Sequence, residues 1–292
     1  MHRPIKKDGF FMVNLNGTLI AKEKAAIAIA NRGLNYGDAV FETLRFSGRK
    51  IYFWEDHYFR LMASMRILRM EIPMNFTMEF LEQEILRTID SLEKEEVSFR
   101  VKLLVWRKTG GKYTPITNDI EYVISFEKLD TPFYVLYEKA YEVELFKDHY
   151  IISGLLSTLK TNNRLINILG SIFAKENDYQ NCLLLNENKQ VVEALNGNIF
   201  LVSGNNIKTP PLTDGCLNGI LRKQLISIFK KMQDFTIEEA SISPFELQKA
   251  DEIFITNTIQ GIVSITKYRK KEFTNEVAKQ LLPKLNLKVR MD

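Results

Sequence analysis

The chain has 292 residues, with 40 basic and 36 acidic side chains and a formal net charge of +4. Hydrophobic residues make up 45% and charged residues 26%, which is typical of a folded globular protein rather than a disordered one. Although the sequence pI is about 8.8, the basic residues form only short clusters, so we expect no nucleic-acid binding. The length predicts two domains or one large α/β unit.

The cysteine, histidine and hydropathy patterns exclude further classes. Two cysteines, Cys182 and Cys216, are too few for a disulfide framework, and the three scattered histidines do not predict a metal site. We therefore expect a cytoplasmic protein without a bound metal. The N-terminal segment predicts a first strand rather than a secretion signal, because its apolar run is short and interrupted. The longest uncharged apolar stretch, at 150–159, is about half of what a membrane helix needs, so we expect no membrane association.

The first half of the chain predicts hairpins followed by two helices. Asn16-Gly17 separates the strand FFMVNL from TLIA, and Asn-Gly suits the backbone conformation of a tight hairpin turn. A second hairpin is predicted around Ser47-Gly48. Apolar residues then recur at helical spacing, and Thr77 is the expected N-cap of a second helix whose apolar stripe ends at Leu92.

The remainder of the chain alternates strands with helices. Strands are predicted at 99–105 and 122–126, after which the pattern lapses, and we place a boundary between domains 1–129 and 130–292. Further hairpins follow, and Ser243 begins a capping box with proline at the first helical position. The expected fold class is α/β or α+β, in two domains with mostly hairpin-connected sheets.

Five separated parts of the sequence resemble the class IV aminotransferase family, the fold-type IV pyridoxal-phosphate (PLP) enzymes. These parts are RGLNYGDAVFETLR (32–45), DHYFRL (56–61), STLKTNNRL (157–165), VVEALNGNIF (191–200), and the pair CLNGILR (216–222) and ADEIFITNTIQGI (250–262). Their common order over most of the chain makes the resemblance specific. It implies a fold similar to D-amino-acid aminotransferase, with a small N-terminal domain, a larger C-terminal domain, the cofactor between them, and a homodimer.

The resemblance implies that Lys160 and Glu193 carry the cofactor chemistry. A PLP enzyme needs an amine that holds the aldehyde as a Schiff base and later moves the Cα proton, and Lys160 lies in uncharged surroundings. The pyridine nitrogen stays protonated beside a carboxylate that stabilises the cation. Glu193 lies among apolar residues, where a lone carboxylate would be costly.

The phosphate of the cofactor requires cations and N–H donors. Arg60 falls where family members place their phosphate arginine, and the competing interpretation is a helix-surface ion pair with Glu55 or Asp56. Gly219 is either a helix-cap glycine or, with Ile220, a source of N–H groups at a helix start. The other residues that the resemblance assigns to the cofactor are Asn198, Asn257 and Thr258.

Substrate contacts are predicted at Tyr36, Arg107 and Arg164, and a catalytic role at Thr43. Tyr36 and Thr43 belong to the first motif, and Arg107 could hold a substrate carboxylate at the end of its strand. Arg164 follows Lys160 by four residues and would return to the same helix face. The competing interpretations are a core tyrosine, a strand threonine and two solvated arginines.

Two enzyme activities remain open, and a binding protein is the third alternative. Transamination between an amino acid and a 2-oxo acid, including the branched-chain type, is the broader family activity and the one we expect. Thr43, Arg107 and Asn163-Arg164 are instead similar to aminodeoxychorismate lyase, which would release pyruvate and 4-aminobenzoate. A non-catalytic PLP-fold protein is disfavoured, because the lysine, the carboxylate and the phosphate arginine are all present.

Overall fold

The computed structural model describes residues 12–91, 98–137 and 139–291. The chain divides into two compact units, Met1–Pro132 and Phe133–Asp292, so the division lies just after the boundary predicted between 129 and 130. Phe10 and Phe11 of the first predicted strand and Leu92 of the predicted helical stripe lie outside the described residues.

Unit 1 combines an antiparallel sheet with helices. Its elements in chain order are β1 (Met12–Leu15), β2 (Thr18–Ala21), α1 (Arg32–Tyr36), β3 (Ala39–Ser47), β4 (Lys50–Ile51), α2 (Trp54–Ile67), α3 (Met78–Asp90), β5 (Ser98–Arg107) and β6 (Ile120–Leu129). The six strands lie in the order β2-β1-β6-β5-β3-β4. Alternate residues of β3, β5 and β6 form one core with the apolar faces of α2 and α3, so both helices cover the same side of the sheet.

The local signals of unit 1 act largely as predicted. Asn16 and Gly17 both have positive φ, at 50° and 84°, in the turn between β1 and β2. Ser47 pairs with Lys50, so the second hairpin turns at Gly48-Arg49, one residue later than predicted. Thr77 caps α3, since its side-chain oxygen accepts a hydrogen bond from the Phe80 N–H at 3.2 Å.

Unit 2 is built on a larger mixed sheet. Its elements in chain order are β7 (Glu142–Ile151), α4 (Leu165–Glu176), β8 (Asn181–Asn186), β9 (Val191–Ala194), β10 (Gly197–Ser203), β11 (Asn206–Thr209), α5 (Ile220–Phe229), β12 (Thr236–Glu239), α6 (Pro244–Leu247), β13 (Glu252–Asn257), β14 (Gly261–Ile265), β15 (Lys267–Tyr268), β16 (Lys271–Glu272) and α7 (Glu276–Met291). Ten strands form the sheet, with β13 paired to both β10 and β14. The predicted capping box at Ser243 is present at the start of α6.

The centre of the unit 2 sheet is buried on both faces. Strands β8 and β9 are buried along their whole length, and β10 and β13 along most of theirs. Helix α4 packs against β7 and β8, while α5 and α7 pack against β13. The helix starts and strand ends beside this rigid centre are therefore well supported positions for functional groups.

The described helices are all too short or too polar to span a bilayer. The same parts of the chain contain no group of three or more His, Cys, Asp or Glu side chains that could hold a metal ion.

Candidate active site

Lys160 lies in an irregular segment between a 3-10 turn, Leu155–Thr158, and helix α4. Its flanking carbonyls are bonded to one side chain: Arg164 Nη2 donates to Leu159 O at 2.9 Å and Arg164 Nε donates to Thr161 O at 3.1 Å. The Asn218 N–H donates to Thr158 O at 3.2 Å. The main chain that carries the half-buried Lys160 side chain is thus held by hydrogen bonds from Arg164 and from Asn218.

Glu193 and Asn198 lie side by side on the sheet and together bind one peptide group. They are direct cross-strand partners on β9 and β10, so their side chains share a face. Glu193 Oε2 accepts a hydrogen bond from the Leu217 N–H at 2.8 Å, and Asn198 Nδ2 donates to Leu217 O at 2.8 Å. The segment that leads into α5 is therefore attached to the sheet beside Glu193.

The environment of Glu193 allows its carboxylate to bind a cationic group. Burial raises the pKa of Glu193, while the Leu217 N–H and the charges of Arg164 and Lys160 oppose that rise. Among the described residues, Glu193 accepts a hydrogen bond at Oε2 and none at Oε1. The Oε1 atom is not fully buried. Oε1 can therefore accept a hydrogen bond from a protonated ring nitrogen.

Helix α5 begins at Gly219, which is its N-cap, and no side chain caps the helix there. The first N–H groups of the helix, including that of Ile220, lack intrahelical acceptors and carry the positive end of the helix dipole. Gly219 has an ordinary φ of −74°, but a Cβ at this position would overlap Asn198 Oδ1. The missing side chain lets the helix start approach Asn198, which agrees with the cap-glycine interpretation. The Gly219 N–H itself donates to Leu217 O at 2.8 Å, so the predicted phosphate contact at this helix start stays with the Ile220 N–H.

Asn257 and Thr258 occupy the end of β13 and the turn that follows. Asn257 Oδ1 accepts hydrogen bonds from the N–H groups of Ile259 at 3.1 Å and Gln260 at 2.9 Å. The N–H groups of Ile259 and Gln260 are therefore already bonded within the turn. Thr258 O accepts a hydrogen bond from the Tyr134 hydroxyl. In this turn, the Thr258 hydroxyl remains the predicted contact with the phosphate.

In unit 1, Arg60 belongs to a buried cluster on β3 and α2. Its Nε and Nη2 donate to the two carboxylate oxygens of Glu42 at 2.8 Å and 2.5 Å, and His57 Nδ1 lies 2.7 Å from Glu42 Oε2. Burial raises the pKa of Glu42, but the charges and hydrogen bonds of Arg60 and His57 outweigh it and hold the value at about 2. The ion pair shown here for Arg60 is with the buried Glu42, a partner that the competing interpretation of a surface pair with Glu55 or Asp56 did not include.

Thr43 follows Glu42 on β3 and is half-buried. Successive side chains of a strand point to opposite faces, so Thr43 lies on the side of the sheet away from Glu42 and from α2. Within unit 1, Thr43 and Arg60 are therefore not brought together. The proposed catalytic role of Thr43 stays a prediction.

Arg107 is buried and fully bonded. Nε and Nη2 donate to the Asp38 carboxylate at 2.9 Å and 3.4 Å. Nη2 also donates to Leu68 O, and Nη1 donates to Arg69 O and to Asn118 Oδ1. These five contacts match the five N–H donors of a guanidinium, so the structure disfavours the predicted contact between Arg107 and a substrate carboxylate.

Tyr36 belongs to the same corner of unit 1 through Arg32. Arg32 Nε donates to Asp38 at 2.9 Å, and the Arg32 guanidinium carbon lies 5.0 Å from the centre of the Tyr36 ring. The Tyr36 ring is 5.8 Å from that of Tyr113 and is 41% exposed. Tyr36 is thus a surface aromatic rather than the core tyrosine of the competing interpretation, and its contact with a substrate stays a prediction.

The sequence from residue 39 to residue 268 matches the family model for class IV amino-transferases. The chain belongs to this family. It is similar to D-alanine aminotransferase of Listeria monocytogenes (28% identity, covering 87% of this chain and 86% of the relative). It is also similar to aminodeoxychorismate lyase of Vibrio harveyi (22% identity, 82% and 86%). A solved branched-chain aminotransferase from Thermoproteus uzoniensis with norvaline has a TM-score of 0.83 and 25% identity, covering 97% of this chain and 94% of that one.

The family assignment makes this chain an enzyme of a PLP-dependent family, as the resemblance implied. The arrangement in unit 2 fits the cofactor: an amine at Lys160, a buried carboxylate with an open oxygen at Glu193, and an uncapped helix start at Gly219.

Both cysteines of this class IV enzyme are free and buried, and burial raises the pKa of Cys182 to about 11 and that of Cys216 to about 12. Neither thiol is therefore suited to act as a nucleophile.

Sequence reasoning missed Glu42 and Asp38 as organising residues of this class IV enzyme. Glu42 had a detectable signal, since it occupies an inward position of β3 between the core residues Val40 and Leu44. A carboxylate in such a row needs a cationic partner. Asp38 had no comparable signal, because it precedes β3 outside any apolar row, and of its two arginine partners, Arg32 and Arg107, the second is distant in sequence.

Proposed function

We propose that this class IV enzyme transfers the amino group of an amino acid to a 2-oxo acid, with PLP held by unit 2. The observation that carries the proposal is the convergence of Lys160, Glu193 and the start of α5. The hydrogen bonds of Leu217 and Asn218 join the three into one structure. A set of unrelated surface residues would not require these shared contacts.

The residues of unit 2 divide the chemistry among them. When bound, PLP supplies an electron-withdrawing ring that stabilises negative charge at the substrate Cα. The Lys160 amine would hold the cofactor through its aldehyde, and the free amine would take and return the Cα proton. Glu193 would keep the ring nitrogen protonated. The Gly219 N–H already donates to Leu217 O at 2.8 Å, so the Ile220 N–H at the start of α5 would bind the phosphate.

The hydrogen bonds of Arg107 favour transamination over the lyase activity. The lyase interpretation used Arg107 to hold a carboxylate of the ring substrate. All five of its N–H donors are already bonded to protein oxygens, so binding a substrate carboxylate would require breaking buried hydrogen bonds. Among amino-acid substrates, the relatives make branched-chain amino acids and D-alanine the first to examine.

The test is a half-reaction with the PLP-loaded enzyme. L-leucine, L-valine and D-alanine are added one at a time, without a 2-oxo acid, and the cofactor absorbance and products are followed. We expect at least one of them to give its 2-oxo acid and to leave pyridoxamine phosphate, which a 2-oxo acid then reverses. 2-Methylalanine is the control, because it has no Cα proton. Release of pyruvate and 4-aminobenzoate from aminodeoxychorismate, without turnover of any amino acid, would contradict the proposal.

We further propose that the enzyme is a cytoplasmic homodimer. The buried, unpaired thiols of Cys182 and Cys216 support a reducing location. Helix α4 supports self-association, because an apolar row on its surface is solvent-exposed in the single chain. The row consists of Leu165, Ile168, Leu169 and Ile172, which are 74%, 53%, 41% and 48% exposed and follow helical spacing. A second copy of the chain would remove this row from water.

Changing Ile168 to lysine is expected to convert the dimer to a monomer, because a charge would have to be buried in an apolar contact. Light scattering after gel filtration should show the wild type at twice the chain mass of 34.0 kDa and Ile168→Lys at 34.0 kDa. Asn205→Lys adds the same charge to an exposed position in the turn between β10 and β11, away from α4, and should remain dimeric. A monomeric wild type, or a dimeric Ile168→Lys protein, would show that α4 is not the interface.

A further inference from the structure

Arg164 occupies an unusual position at the beginning of α4. It is the N-cap residue, with φ −119° and ψ 26°, and its side chain does not cap the helix. N-caps are normally Ser, Thr, Asp or Asn, whose side chains accept hydrogen bonds from the first turn. A cation at this end also opposes the positive end of the helix dipole. The choice of arginine is therefore not explained by the stability of α4.

The Arg164 side chain instead turns back toward the residues that precede it. One guanidinium spans the carbonyls of Leu159 and Thr161, at 2.9 Å and 3.1 Å, which are the residues on either side of Lys160. Two donors in a fixed planar geometry are needed to bridge both carbonyls, and the single ammonium of a lysine lacks that geometry.

The rest of the segment is arranged around this bridge. The Arg164 N–H donates to Asn162 O at 2.9 Å, and the Asn163 N–H donates to Thr161 Oγ1 at 3.3 Å. These bonds form a compact turn with the Arg164 guanidinium closing it over the backbone of Lys160. The backbone conformation restricts the rotamers of the side chain it carries, so this closure limits where the Lys160 amine can reach.

We propose that Arg164 is a positioning residue for Lys160, whose flanking carbonyls its guanidinium holds so that the amine points toward Glu193 and the cofactor. The proposal rests on the proposed function, in which Lys160 binds PLP. It assigns Arg164 a task other than the substrate contact predicted from the sequence. Substrate affinity and amine positioning are separable measurements, so the two roles can be told apart.

The test compares Arg164→Lys and Arg164→Ala with the wild type in cofactor-free protein. Lys160 is labelled with pyridoxal and cyanoborohydride, and hydrogen exchange is measured on a peptide covering residues 156–166. We expect labelling to be about ten-fold slower and exchange about ten-fold faster in both variants, as for the loss of a charge-assisted hydrogen bond. Added methylguanidinium should restore labelling in Arg164→Ala. Lys175→Met, which removes a cation from the last turn of the same helix, should behave as the wild type.

The loaded enzyme supplies a second readout. We expect kcat to fall in Arg164→Lys and the KM for the amino acid to stay within about two-fold, with the thermal midpoint unchanged, since only the amine is displaced. Unchanged labelling and exchange together with a raised KM would overturn the proposal in favour of a substrate contact. Labelling of a different lysine in the wild type would instead overturn the proposed function and, with it, the role of Arg164.

Discussion

Replacing Lys160 with alanine is expected to reduce amino-group transfer by at least about three orders of magnitude, because the same amine binds the cofactor and moves the Cα proton. Non-covalent binding of PLP should persist in this variant, since the helix start at Gly219 and the Glu193 carboxylate remain in place. The variant should therefore still bind PLP in equilibrium dialysis while failing in the half-reaction.

Covalent labelling identifies the lysine directly. Borohydride reduction of the PLP-loaded wild type, followed by peptide mapping, should place the pyridoxyl mass on Lys160. In Lys160→Ala the label should disappear, and in the control Lys175→Ala it should remain. A pyridoxyl group on any other lysine, or a Lys160→Ala enzyme with near-normal transfer, would show that Lys160 is not the cofactor-binding residue.

Replacing Arg60 with alanine is expected to destabilise unit 1 by about 3–5 kcal/mol, the typical cost of leaving one member of a buried ion pair without its partner. Glu42 is 1% exposed and receives two hydrogen bonds from Arg60, at 2.8 Å and 2.5 Å. His57 would be the remaining partner of the buried carboxylate in this cluster. Urea denaturation followed by circular dichroism measures the loss.

The predicted contact of Arg60 with phosphate requires a control for this structural effect. The double variant Glu42→Gln/Arg60→Met removes both charges, so most of the lost stability should return. If Arg60 also binds the phosphate, PLP affinity should be about ten- to hundred-fold weaker in both the single and the double variant. Chemistry at saturating PLP should change less than affinity. A PLP titration like that of the wild type in the double variant would limit Arg60 to its ion pair with Glu42.

The Glu42 cluster also predicts a pH dependence of stability. The folded protein holds the pKa of Glu42 at about 2, below the ordinary value of 4.5. A carboxylate whose pKa is lowered by folding stabilises the fold above its ordinary pKa, and this contribution is lost as the pH falls from 4.5 toward 2. The double variant should therefore lose less stability than the wild type over this pH window.

Local features of this protein could be predicted because their causes are local. The hairpin at Asn16-Gly17, the Thr77 cap of α3 and the capping box at Ser243 each depend on residues a few positions apart. The identities of Lys160 and Glu193 as candidate site residues came from motif resemblance and from their uncharged surroundings, both of which can be read along one stretch of chain.

The positions of charged partners required the tertiary structure. Arg60 and Glu42 lie 18 positions apart, and Arg107 and Asp38 lie 69 apart, so their pairing depends on how strands and helices pack. The sequence by itself therefore determined the family, the local turns and caps, and which residues could carry the chemistry. Only the tertiary structure decided which arginines form ion pairs with carboxylates and which one reaches the backbone of Lys160. The physical reason is that a guanidinium binds whichever oxygens folding brings within hydrogen-bonding distance, and sequence spacing does not contain that information.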